Sequence, residues 1–93
     1  MTRMPKETYH PNAYLATIKN TKLGLRARTK TLNVLEKLTG DAKQVAKESG
    51  LRYAVIMHHL KLLTAEGIVG RKGSRPYVWS LTGIGQKRLE TSG

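Results

Sequence analysis

The stretch from Asp41 to Leu63, DAKQVAKESGLRYAVIMHHLKLL, constrains the fold of this chain more than any other. Ala46 and Gly50 stand four residues apart, and Ile56 follows six residues later. A small side chain lets two helices cross closely, a glycine takes the positive φ of a tight turn, and an isoleucine anchors a second helix. Asp41 followed by Gln44 fits a capping box, in which the carboxylate accepts from free amides of the first turn and the glutamine reaches back to the cap. The spacing predicts a first helix from about Asp41 to Ser49 and a second over about residues 52–66, joined as a helix-turn-helix.

The second helix has two unlike faces. Ile56, Leu60 and Leu63 repeat at intervals of four and three, with His59 on the same side, so this face packs inward. Ala54, Met57, His58, Lys61 and Ala65 project the other way, without a continuous apolar stripe and without an acid. A helix face of that kind can approach a polyanion.

Charge points the same way. Seventeen Lys and Arg against six Asp and Glu give +11 over 93 residues, a balance that draws polyanions at rates suppressed by salt. Nucleic acid is the leading partner class and an anionic membrane surface the second. The length suits one domain with a modest core. With no cysteine, disulfides, thiolate zinc sites and cysteine nucleophiles are excluded. No run of about eighteen apolar residues and no signal-peptide core stands near the start, so the expectation is a soluble cytoplasmic, nucleoid-associated protein without a membrane partner.

Residues 1–11 hold Pro5 and Pro11 among polar residues without periodicity and are expected to form a flexible arm, in which Arg3 and Lys6 either touch phosphate or do nothing. From Asn12 to Leu23, Tyr14, Leu15 and Ile18 recur at helical spacing, which predicts a short helix ended by Gly24. Lys19, Lys22, Arg26, Arg28 and Lys30 form a cationic cluster without an acid, either a solvated face or a phosphate-contacting patch. Thr31, Val34, Leu35 and Leu38 then mark the buried stripe of the helix that backs the helix-turn-helix.

Beyond Glu66 and Gly67, IVGR and PYVWSL read as two strands. Tyr77, Trp79 and Leu81 alternate with Val78 and Ser80, and the intervening Lys-Gly-Ser makes a hairpin turn, with Pro76 at the start of its strand or on a free edge. A hairpin directly after such a helix is a wing, and Arg71, Lys72 and Arg75 at its tip suit phosphates or a minor groove. Thr82 caps a last short segment with Ile84 and Leu89 inward, and residues 91–93 form a tail expected to be disordered. The domain therefore spans 12–90.

The recognition-helix string HHLKLLTAEGIV and the closing LTGIGQKRL resemble winged helix-turn-helix regulators of the ArsR and MarR type, over about half of the chain. The resemblance implies a mainly α, α+β fold with a three-helix core, a β-hairpin wing and short flanking helices. It also implies a sequence-specific transcriptional regulator that binds double-stranded DNA as a homodimer through its flanking segments. Metal-sensing members use a cysteine pair, which this chain lacks. Where such proteins open the recognition helix with Ser or Thr, this chain has Arg52 and Tyr53, side chains suited to contacting DNA themselves.

Tyr53, Ala54, Met57, His58 and Lys61 are accordingly expected to face bases; Arg26, Arg28, Lys30, Arg52, Arg71, Lys72 and Arg75 are expected to hold phosphates or the flanking groove. Met57 is either a contact for a thymine methyl or a flexible edge residue. His58 and His59 point about 100° apart and lack a neighbouring acid, so no metal site is expected, and His59 reads as a partly buried histidine bonded to backbone. The six acids form no catalytic pair and no phosphate cradle or nucleophile elbow is present, so neither an enzyme nor a cofactor nor a small-molecule effector is indicated. The alternative is a nonspecific or RNA-associated winged-helix module, in which the same cations meet phosphate without base readout.

Overall fold

The computed structural model describes residues 8–83. Three helices, α1 (Lys22–Lys37), α2 (Ala42–Ser49) and α3 (Tyr53–Ala65), precede a two-stranded antiparallel hairpin, β1 (Val69–Lys72) and β2 (Val78–Leu81). This is a winged helix-turn-helix, mainly helical. The last segment expected over Gly83 to Leu89 and the tail 91–93 lie outside the described residues, except for Gly83 itself.

The α2–turn–α3 unit follows its local signals. Asp41 Oδ1 accepts from the Gln44 amide at 2.8 Å and caps α2. Gly50 ends the helix at φ 75°, and its amide returns to the Ala46 carbonyl. Arg52 caps α3 without a side-chain hydrogen bond, leaving that side chain to solvent. Ile56, Leu60 and Leu63 are fully buried against Leu32, Leu35 and Val45 of the other two helices, closed by Ile68, Val69 and Trp79 of the wing.

In the hairpin Val69 stands opposite Leu81 and Arg71 opposite Trp79. Trp79 is 2% exposed and Val78 39%, as the alternation requires. Gly73 turns at φ 81°, while Pro76 lies in the loop before β2, preceded by a cis peptide, rather than at the start of the strand. Trp79 also exchanges backbone hydrogen bonds with Gly40, so the residue before the α2 cap adds a single antiparallel bridge on the other edge of β2.

The segment before α1 differs from expectation. Asn12 to Leu23 is not a helix. A single 3₁₀ turn, Pro11–Ala13, leads into irregular chain, and α1 begins at Lys22 and runs through Gly24. The backbone groups a helix would have used are claimed elsewhere, a competition that favours irregular chain. Asn20 Oδ1 accepts from Leu15 N and Asn20 Nδ2 donates to Leu15 O, at 2.8 and 2.9 Å. Glu66, at the end of α3, accepts from the amides of Ala16 and Thr17 at 2.7 and 3.2 Å and from the Thr17 hydroxyl at 2.9 Å. Thr21 then caps α1 by accepting from Gly24 N, which places the glycine in the first turn rather than at a break. Nor does the arm extend to Pro11: His10 is buried, its Nδ1 accepts from Asn12 N, and its Nε2 pairs with Glu36 of α1.

Candidate nucleic-acid interface

Along α3, Tyr53, Met57 and Lys61 recur every four residues and so form one line on its outer side. Facing them stand Arg71, Arg75, Pro76 and Tyr77 of the wing, and the start of α2 supplies Asp41, Ala42 and Lys43. Together they enclose an open groove of about 670 Å³ floored by Trp79. Lys43, Lys61, Arg71 and Arg75 put four cations around it against the one carboxylate of Asp41, which is engaged as the α2 cap.

The wing wall is ordered by its own side chains. The Arg71 guanidinium lies 4.3 Å from the centre of the Tyr77 ring and 6.0 Å from that of Trp79, a cation–π arrangement that holds the planar group in one orientation. Tyr77 meets Trp79 edge-on at 6.4 Å. Trp79 itself is buried, so it supports the wall and offers no exposed stacking face.

The structure thus brings together Tyr53, Met57, Lys61, Arg71 and Arg75. Tyr53 is 52% exposed, an amphipathic ring open to a ligand. Ala54 and His58 are exposed on the adjoining strip of α3, and Arg52 and Lys72 are exposed at the rims. Arg26 and Lys30 are exposed on α1 but line depressions that share no residue with the groove.

Arg28 is the clearest departure from the expected phosphate set. It is 1% exposed, and its Nε donates to the Ala13 carbonyl at 2.6 Å and its Nη2 to Asn20 Oδ1 at 3.1 Å. Its Nη1 approaches His59 Nδ1 at 3.5 Å. Burial lowers the Arg28 pKa, partly countered by the charge of Glu66. A guanidinium committed to these acceptors does not reach a ligand; it ties the irregular N-terminal segment to α3.

His59 is accordingly bonded toward a guanidinium rather than toward backbone. Its pKa falls from 6.5 to about 4, chiefly through burial and then through the charges of Arg28 and His58. At Glu66, burial pushes the pKa up, but the hydrogen bonds from Ala16 and Thr17 and the charge of Arg28 outweigh it and leave it lowered. Among the described residues no cluster of His, Asp or Glu suits a metal ion, and no helix is long and apolar enough to cross a membrane.

Lys43 and Tyr77 were not picked out as site residues by sequence reasoning. Lys43 carries only the weak signal of an exposed cation in the first turn of α2. Tyr77 falls on the buried side by alternation and becomes a groove wall only because Arg71 folds over it.

No protein-family model and no curated protein sequence matches the chain. Among solved structures, it is similar to the Zalpha domain of PKZ from Carassius auratus, determined in complex with Z-DNA, with a TM-score of 0.58 and 28% identity. The match covers 61% of this chain and 94% of that domain, and it accords with the winged-helix architecture described above.

Proposed function

We propose that this chain binds double-stranded DNA and acts as a sequence-specific transcriptional regulator of the ArsR/MarR kind, without catalysis of its own. The observation that carries this reading is the cationic groove between α3 and the wing, in which Tyr53, Met57 and Lys61 form one line facing Arg71 and Arg75. In this arrangement α3 enters the major groove. Lys61 donates to guanine or phosphate, Met57 offers an apolar contact to a thymine methyl, and Tyr53 donates to a phosphate oxygen. His58 and Ala54 face bases on the adjoining strip, while Lys43, Arg52, Lys72 and the wing arginines hold the flanking backbone. Exposed Tyr14, Ile18 and Leu23, on the flanking segment where pairing is expected, support a homodimer. The DNA in the complex of the similar Zalpha domain adds support for nucleic acid as the ligand.

That complex also favours a second reading, since its ligand is Z-DNA: recognition of duplex shape through the backbone, without an operator sequence. Selection of randomised duplex DNA at near-physiological salt separates the two. The regulator reading expects an enriched inverted repeat with half-sites about one helical turn apart, bound less tightly when Lys61 or His58 is replaced by Ala. Enrichment of no sequence, with affinity that collapses as salt rises, overturns it. The shape reading then requires inversion of the circular dichroism of an alternating CG duplex as protein is added.

A further inference from the structure

The outer face of α1 carries a charge pattern that the groove leaves unused. Lys22, Arg26, Lys30, Asn33 and Lys37 are all exposed and follow one another at intervals of four, four, three and four. On a helical wheel they fall within an arc of roughly 80°, about 160° from the centre of the buried set Leu25, Arg28, Thr31, Leu32 and Leu35. The stripe contains no acid. Lys22, Lys30 and Lys37 are paired with no carboxylate among the described residues, although Glu48 borders Lys30 and Lys37; Glu36, on the flank of α1, is engaged with His10.

The core fixes where this stripe points. α1 packs through its buried side onto α2 and α3, and α3 packs onto α1 through Ile56, Leu60 and Leu63. The line Tyr53, Met57, Lys61 lies about 110° round α3 from the centre of its buried face, on the flank turned toward the wing. The groove that this line helps to form shares no residue with the depression beside Lys30 and Lys37, so the two cationic faces are separate surfaces of the domain.

We infer that α1 is a docking surface for a second DNA duplex, so that one molecule bridges two duplexes. This rests on the proposed binding of DNA by α3 and the wing. The stripe is about 22 Å long, a length over which duplex DNA presents about 13 backbone charges, so its cations meet phosphates without any need for base readout. Asn33 adds a neutral hydrogen-bonding group of the kind common at phosphates. A lipid surface is the poorer occupant, because α1 offers one large exposed apolar side chain, Leu23, at one end of the stripe, too little to insert along its length.

The test is capture of a fluorescent duplex by a second duplex tethered to beads, using the full chain, alongside binding of a single labelled duplex in solution. The wild-type chain is expected to capture the second duplex. The double variant Lys30→Gln, Lys37→Gln is expected to bind a single duplex within about twofold of wild type but to lose capture roughly 10- to 30-fold at 0.15 M salt, with the log–log salt slope of capture smaller by about 2. Lys19→Gln, Lys47→Gln, which removes the same charge from exposed positions outside the stripe and outside the groove lining, is expected to retain capture. Wild-type binding of one duplex without capture of another overturns the inference alone, and so does full capture by the stripe variant, which assigns bridging to paired α3 helices of a dimer. Loss of capture in both double variants equally also overturns it, as a net-charge effect. Lysine-dependent sedimentation with anionic phospholipid vesicles in place of capture overturns it in favour of a membrane. Failure to bind any duplex overturns the proposed function together with this inference.

Discussion

Lowering the pH should loosen the fold over a defined window, and His59 is the reason. It is 7% exposed on α3, and its pKa is lowered from 6.5 to about 4 by burial first and by the charges of Arg28 and His58 second. A lowered pKa on a base means that the unfolded chain takes up the proton before the folded chain does. The stability that His59 allows is therefore complete above about pH 6.5, falls as the pH drops toward 4, and levels off below that. A difference of about 2.5 units at 1.36 kcal/mol each gives an upper bound of about 3 kcal/mol, a large share of the 5–15 kcal/mol typical of a domain. Urea unfolding followed by fluorescence of Trp79, the only tryptophan and a buried one, reads this directly at pH 7, 6, 5 and 4. Wild type should lose most of this stability between pH 6.5 and 4, whereas His59→Gln, which cannot take up a proton, should show a flatter profile there. Parallel profiles for the two proteins would refute the assignment. Glu66, with its lowered carboxyl pKa, adds a loss that sets in around its ordinary value of 4.5, at the acid end of the His59 window, and continues below it.

Arg28→Met keeps the buried stem but strips the Ala13 carbonyl and Asn20 Oδ1 of their donor, at a cost of about 2–4 kcal/mol in thermal or urea unfolding. The same substitution should raise the His59 pKa, measurable by NMR titration, because one of the charges that depress it is gone. Gly24→Ala tests whether space or helix propensity governs the first turn of α1. An added Cβ would stand 2.8 Å from Arg28 Nη1, so the pinned guanidinium must move, and a loss of about 1–2 kcal/mol is expected where propensity alone predicts a gain of up to about 1. A higher melting temperature for that variant would show that Arg28 adjusts freely.

How much of this was legible in the sequence follows from how local each signal is. The cap at Asp41, the left-handed turn at Gly50 and the inward line Ile56, Leu60, Leu63 are decided within a few residues, and all are found as read. The wing follows from alternation alone, since Trp79 must be buried if Val78 is not. The segment from Asn12 to Leu23 has helical spacing, yet its amides are taken by Glu66, which lies 50 positions from Ala16, and by Asn20. Arg28 sits in a run of cations and reads as surface; its burial depends on the Ala13 carbonyl and on the room left by Gly24. The groove-lining residues of α3, Tyr53, Met57 and Lys61, were legible as one line because a single helix presents them. Lys43 and Tyr77 were not, because only the approach of α2 and the wing to α3 makes them walls of one groove.

The irregular segment before α1 and the groove are mechanically linked even though they share no residue. α3 is fixed on its buried side by apolar packing, which leaves a helix some freedom to slide or roll, since packing of this kind is not directional. Its polar attachments are directional. Glu66 at its C-terminal end grips two backbone amides and a hydroxyl of the segment, and Arg28, held by Ala13 and Asn20 of the same segment, comes up against His59 at the middle of the helix. Two attachments about seven residues apart, roughly 10 Å along the axis, resist both rotation and tilt. The residues that look from the sequence like a flanking helix therefore act as a brace, setting the angle at which Tyr53, Met57 and Lys61 meet the wing. Replaced as a set, the buried Arg28 and His59 contacts and the surface contacts of Glu66 contribute little net stability, and their value lies in selecting one arrangement among several of similar apolar burial. For a face whose proposed task is to register against a duplex, that selection matters more than the free energy of the contacts themselves.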